Sequence, residues 1–146
     1  MSLWLNLLLV PILVTSNSLQ AQSCDRLIAL APSISEIVYA LDLDQNLVGV
    51  SRYSEYPPAV KSKPSVGGFL DPNIEAILAL KPSLVVLLTE HADTKTKLEA
   101  VSLKTLTLDH RGIAGILSSI QTLGELCSRK HQAEALVSNL RDRMQK

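Results

Sequence analysis

The stretch 51-SRYSEYPPAVKSKPSVGGFLDPNIEAILALKPSLVVLL-88 decides how the rest of the chain reads. It closes on Leu84, Val85, Val86, Leu87 and Leu88, an unbroken apolar run of strand length. Such a run is the pattern of a strand covered on both faces in a parallel sheet. Lys81-Pro82 ahead of it stops a helix, and Asp71-Pro72 starts one. Aspartate is a good N-cap and proline is pre-set for the first helical turn. Between these signals Ile74, Ile77 and Leu78 fall on one face, as in a helix packed on a sheet. Upstream lie Tyr53, Tyr56 and Phe69, in loops closed by Pro57-Pro58 and Gly67-Gly68. The glycine pair reads as a tight turn at positive φ.

Working outward, residues 27–31 form a short apolar strand that runs into Pro32. Ser33-Ile34-Ser35-Glu36 then spells a capping box, with Ser33 taking one orphan N–H and Glu36 reaching back. Ile37, Val38, Ala40 and Leu41 supply that helix with an apolar face. Residues 47–50 read as a second strand, 93–101 as a short helix, 104–108 as a fourth strand and 113–126 as another helix. The final segment, 130–146, is helical, with Leu136, Val137, Leu140 and Met144 along one stripe that is open to a partner. Strands alternating with helices predict an α/β fold with a parallel sheet of about four strands flanked by helices and joined by right-handed crossovers.

In open parallel sheets ligands sit beyond the carboxyl ends of the strands, where the strand order reverses. Four loops therefore matter: Ala31-Pro32-Ser33, Ser51-Arg52-Tyr53, Thr89-Glu90-His91 and Asp109-His110-Arg111. Polar and aromatic residues gather there, which makes a binding face.

Composition narrows the classes. Apolar residues make up 47% of the 146-residue chain against 19% charged, enough for one packed domain rather than a disordered segment. Fourteen basic residues balance fourteen acidic ones, which argues against a nucleic-acid partner. Catalytic signatures are missing: there is no Gly-x-Ser-x-Gly, no phosphate loop and no local Cys–His pairing. A small α/β enzyme fragment stays as the alternative class.

Residues 3–14 are apolar except Asn6, too short a run for the about 20 residues that span a bilayer. The small, polar residues 16–23 follow, and Leu19-Gln20-Ala21 fits a signal-peptidase site, so 1–21 reads as a signal peptide although no Lys or Arg precedes the apolar run. Cys24 is open to three readings: lipid anchoring at a faint lipoprotein box, a disulfide with Cys127 in an oxidising compartment, or a free thiol.

Taken together, Arg52-Tyr53-Ser54-x-Tyr56-Pro57-Pro58, Val66-Gly67-Gly68-Phe69 and Asn73-x-Glu75-x-Ile77 followed by Leu80-Lys81-Pro82-x-Leu84-Val85 carry a resemblance. From about residue 26 to its end the chain resembles the N-terminal lobe of the periplasmic binding proteins of ABC importers. The branch is the one that takes up vitamin B12, iron–siderophores and haem, and the cobalamin binders are the most similar. The resemblance implies one lobe over 22–129 and, over 130–146, the start of a long helix that crosses to a second lobe, so the chain reads as cut within that helix. It implies an exported, periplasmic protein with no enzymatic activity and no resident cofactor or metal. Its ligand would be cobalamin or another metal chelate, and its partner an ABC permease and ATPase complex.

The same resemblance assigns residues. Tyr53 and Phe69 match corrinoid-contacting positions, with Phe69 where a tryptophan can stand; flat aromatic surface suits a large conjugated ring. Glu75 matches the carboxylate that pairs with permease arginines, although a first-turn acid also complements the helix dipole. Pro32, Ser33, His91 and His110 lie on strand-end loops and complete the expected ligand face. The two histidines read as solvated loop residues rather than metal ligands, because metal-binding relatives gather several His and carboxylates from both lobes.

Overall fold

The computed structural model describes residues 24–146. The signal-peptide reading of 1–21 lies outside the described residues. Four parallel strands, β1 (Leu27–Ala29), β2 (Leu47–Val50), β3 (Leu84–Leu88) and β4 (Thr105–Leu108), lie in the order β2-β1-β3-β4. Helices α1 (Pro32–Ala40), α2 (Ile74–Ala79), α3 (Ala92–Ala100), α4 (Gly112–Leu126) and α5 (Lys130–Met144) connect and cover them.

Every residue of β3 is buried, and its side chains divide between two cores. Leu84, Val86 and Leu88 join Leu27, Ala29, Ile34, Val38, Ile120 and Leu123 on the face covered by α1 and α4. Val85 and Leu87 join Ile28, Leu30, Ile77 and Leu98 on the opposite face, under α2 and α3. Successive side chains of a strand point to opposite faces, so one apolar run needs two helical layers. Each fully buried Leu or Val in it contributes about 1.5–3 kcal/mol.

Three expectations about the helices need correcting. The α1 cap is Ala31, with no side-chain capping bond, so the capping box from Ser33 and Glu36 does not form. Pro32 already fills the first helical position, and a helix that starts there leaves Ser33 inside its first turn, free to bond elsewhere. Asp71 does not cap α2; Asn73 does, its Oδ1 accepting from Ala76 N at 2.9 Å. Asp71 is drawn off to Arg52. Of the apolar face expected on α2, Ile77 is buried and Ile74 packs beside it, but Leu78 is exposed.

Arg26 closes the C-terminal end of α2 from a distance. Its Nη2 donates to Leu80 O at 2.6 Å and its Nε lies 3.1 Å from Lys81 O, a cation on the free carbonyls of a helix end. Gly67 has φ +102°, and a Cβ there would lie 2.7 Å from Asn73 N, so the turn before α2 needs glycine.

The α5 stripe is largely used. Val137 and Ala133 are buried and Leu136 and Leu140 pack on the same core, so Met144 alone of the four expected stripe residues stays exposed. Gly124 permits that packing, because a Cβ there would stand 2.4 Å from the Ala133 Cβ. Cys24 and Cys127 form a disulfide, which fastens the chain ahead of β1 to the turn between α4 and α5. With Cys24 Sγ so bonded, neither the free thiol nor the lipid thioether describes this structure.

The bridge closes a loop of 103 positions, for which chain entropy alone gives roughly 4–5 kcal/mol. Replacing both cysteines with serine is expected to lower unfolding free energy in urea by about 2–4 kcal/mol with the far-ultraviolet dichroism of the folded state unchanged. An unaltered unfolding midpoint would show that α5 holds its place without the bridge.

Candidate functional site

All four strands run in one direction, so the loops that follow them meet at one edge of the sheet. The order β2-β1-β3-β4 reverses direction between β1 and β3, the place where ligands bind in such folds. Ala31-Pro32-Ser33 follows β1 and Thr89-Glu90-His91 follows β3, so both flank that point. Ser51-Arg52-Tyr53 and Asp109-His110-Arg111 lie to either side.

Ser33 and His110, from loops on β1 and β4, come together: Ser33 Oγ is 2.8 Å from His110 Nδ1. The other ring nitrogen, Nε2, is shielded from solvent and has no hydrogen-bond partner among the described residues. Burial pushes the His110 imidazole below its usual value, against the opposing pull of Glu90 and Asp109. Asp109 is not a partner for the ring. Its Oδ1 accepts from Arg111 N at 2.9 Å and Nε at 2.8 Å, and its Oδ2 from Nη2 at 2.5 Å. That fork holds the Asp109 carboxyl well below the usual carboxylate range and raises the Arg111 guanidinium.

His91 is placed differently from the solvated loop residue expected. It is 3% exposed, and both ring nitrogens are engaged. Nδ1 accepts from Leu88 N at 3.0 Å, so the ring hydrogen sits on Nε2 and points to Phe69 O at 2.8 Å. The Phe69 ring meets the imidazole edge-on at 4.6 Å between centroids. His91 therefore has no free lone pair for a metal; it is a strut that fixes Phe69. A histidine just past a strand gives no sequence sign of this, because the partner is 22 positions away.

Phe69 is half-buried, while Tyr53 is 57% exposed with the Arg52 guanidinium 5.8 Å from its ring centre. Arg52 also pairs with Asp71 at 3.2 Å, tying the β2 loop to the turn before α2. Behind Tyr53, Ser54 is buried against Ser35, whose hydroxyl donates to Pro32 O at 2.7 Å. With that hydrogen spent, Ser54 is the donor in the 3.2 Å contact between the two hydroxyls. Pro32 is half-buried at the head of α1 and serves the backbone there. Glu75 stands exposed in the first turn of α2, away from these contacts.

Among the described residues no group of three or more His, Cys, Asp or Glu gathers to hold a metal ion. No helix among them is long and apolar enough to cross a membrane.

Comparison with known proteins follows this geometry. The sequence profile of the family described as Periplasmic binding protein matches residues 27–146. The vitamin B12-binding protein of Yersinia pseudotuberculosis serotype O:1b (strain IP 31758) is 43% identical over 77 residues, 53% of this chain and 28% of that protein. A periplasmic heme binding protein from Pseudomonas aeruginosa superposes with a TM-score of 0.78 at 31% identity, over 83% of this chain and 44% of that one. The periplasmic vitamin B12 binding protein of Vibrio cholerae gives 0.76 at 30% identity, over 83% of this chain and 48% of that one. The chain thus spans less than half the length of these relatives.

The depressed His110 value has a consequence for pH. An unfolded histidine takes up its proton near pH 6.5 while the folded one resists it, so the unfolded state binds more protons as pH falls. The His110 contribution is neutral above the unfolded value and becomes destabilising as pH drops from there through the folded value. Nitrogen-detected NMR titration is expected to place His110 below 6.5, and His110→Asn to flatten the loss of stability between neutral and mildly acidic pH. A midpoint at or above the ordinary histidine value would mean that Glu90 and Asp109 outweigh burial.

Proposed function

The chain belongs to the periplasmic binding protein family, and from that membership we propose that it is the ligand-capturing N-terminal lobe of an ABC importer's substrate-binding protein. Its ligand is a corrinoid or a similar large metal chelate, delivered in the periplasm to a membrane permease and its ATPase. The observation that carries this reading is the exposed Tyr53 ring on the loop after β2, with Phe69 further along the same connection to α2. Tyr53 offers most of its ring to solvent, and Phe69 is braced by His91. An exposed ring on a fixed loop supplies large contact area at small entropic cost to a flat, conjugated ligand. The vitamin B12-binding relatives support the corrinoid; the heme binding neighbour supports a second reading, haem, on the same face.

Catalysis is the weaker class on the geometry. Ser33 and His110 resemble two members of a hydrolytic triad, but the adjacent carboxylate, Asp109, is committed to Arg111. Contact through Nδ1 leaves no acid to orient the ring. Binding needs no such relay.

Two experiments test the proposal. Tyr53→Ala with Phe69→Ala is expected to weaken cyanocobalamin binding by roughly 2 kcal/mol or more, read by calorimetric titration. Unchanged affinity, with haem titrated in parallel, would move the ligand off this face. Separately, Glu75→Lys in a transport-competent full-length protein should leave ligand affinity intact and impair uptake, because it replaces attraction to a permease cation with repulsion. Equal loss of both would make Glu75 a ligand or folding residue.

A further inference from the structure

A concave site lies at the tip of β2, on the loop that carries Tyr53. It has a volume of about 220 Å³ and is walled by the 51–55 loop and by the segment 60–65, which pairs with β2 through a bridge between Val50 and Ser65. Its lining includes Ser51, Arg52, Ser54, Glu55, Lys61 and Lys63.

Three properties give the pocket a chemical character. First, Ser51 is 1% exposed, and its Oγ accepts from Tyr53 N at 3.4 Å. That bond uses a lone pair of the hydroxyl and not its hydrogen. Second, Lys63 Nζ donates to Asp44 O at 2.7 Å, which anchors the ammonium and leaves two of its hydrogens to spend. Third, Lys61 forms no ion pair among the described residues, and Arg52 is shared with Asp71. Three cations therefore meet one lining carboxylate, Glu55, in a chain with no net charge. Donors and positive charge converging on a small polar hollow suit a compact group with several acceptor oxygens.

We propose that this pocket is an oxyanion subsite, taking a phosphodiester or carboxylate carried at the edge of the ligand that the Tyr53 face receives. The inference rests on the binding function proposed above and adds to it a charge requirement. Arg52 and Ser54, which flank Tyr53 in sequence, both line the pocket, so the hollow and the Tyr53 ring belong to one loop. The aromatic face sets affinity for the macrocycle, and the subsite discriminates among macrocycles by their acidic arms.

Two measurements test it. Inorganic phosphate is titrated into the chain and followed by backbone amide shifts. Saturable shifts are expected at Ser51, Arg52, Lys61 and Ser65, with affinity reduced about tenfold in Lys61→Glu, an exposed position whose change leaves the fold intact. Absence of saturable shifts at these amides overturns the subsite, whether or not any chelate binds. Calorimetry then compares cyanocobalamin, which carries a phosphodiester, haem, which carries two carboxylates, and dicyanocobinamide, which carries neither. Lys61→Glu is expected to cost about tenfold for an acid-bearing ligand and nothing for the cobinamide. Loss confined to cyanocobalamin identifies the phosphodiester, and loss confined to haem the carboxylate. Equal loss for all three overturns the proposal. If no chelate binds, the function proposed above fails, and the phosphate shifts alone decide the pocket.

Discussion

Burial of β3 on both faces is the constraint from which the rest of the structure follows. Five apolar side chains in succession cannot all be hidden by one layer of helices, because alternate ones point in opposite directions. Helices are needed above and below, and α1 with α4 takes Leu84, Val86 and Leu88 while α2 with α3 takes Val85 and Leu87. Parallel neighbours need long crossover connections, which those helices provide. Once all strands run the same way, their carboxyl ends share an edge and four loops meet there. The binding face is a product of topology before any particular side chain is considered.

What turns a cluster of loops into a face of fixed shape is polar bonding between elements distant in sequence. Ser35 and Ser54 join the head of α1 to the β2 loop, and Ser33 with His110 joins α1 to the β4 loop. His91 joins the end of β3 to Phe69. These bonds are short side-chain contacts between partly or wholly buried groups, where an unmatched partner is costly. They let a loop keep a set conformation without a hydrophobic core of its own.

The strands, their alternation with helices and the edge where the strand-end loops gather were legible in the sequence, because run length and apolar period follow directly from burial. β2 and β3 fell at residues 47–50 and 84–88 as expected, and Ile37, Val38 and Leu41 of the expected α1 face entered the core while Ala40 stayed exposed. Caps were less legible. Serine, aspartate and asparagine near a helix start compete for one role, and tertiary partners decide it: His110 claims Ser33, Arg52 claims Asp71, and Asn73 is left to cap. His91 was misread because exposure of a loop residue depends on what folds over it, here the backbone of Phe69. The cysteine pairing was undetermined for the same reason: a separation of 103 positions says nothing until β1 and the α4–α5 turn are placed in space.

The division of labour on the binding face comes from which groups are already committed. Asp109 is taken by Arg111, His91 by Leu88 and Phe69, and Ser33 by His110. Asp109, His91 and Ser33 are thus engaged by Arg111, by backbone groups and by His110, and each bond ties a strand-end loop. What stays available includes the open ring of Tyr53, the cations at the tip of β2 and the exposed carboxylate of Glu90. On the proposed reading, a ligand at this edge would meet the Tyr53 ring with positive charge on the same loop. With the loops tied by internal bonds, little ordering entropy would be lost on docking, and contact area on Tyr53 would convert to affinity more fully than on a mobile loop. On the proposed binding function, a face held in shape by internal hydrogen bonds would offer its ligand the Tyr53 ring and, at the tip of β2, cations beside the lining carboxylate Glu55.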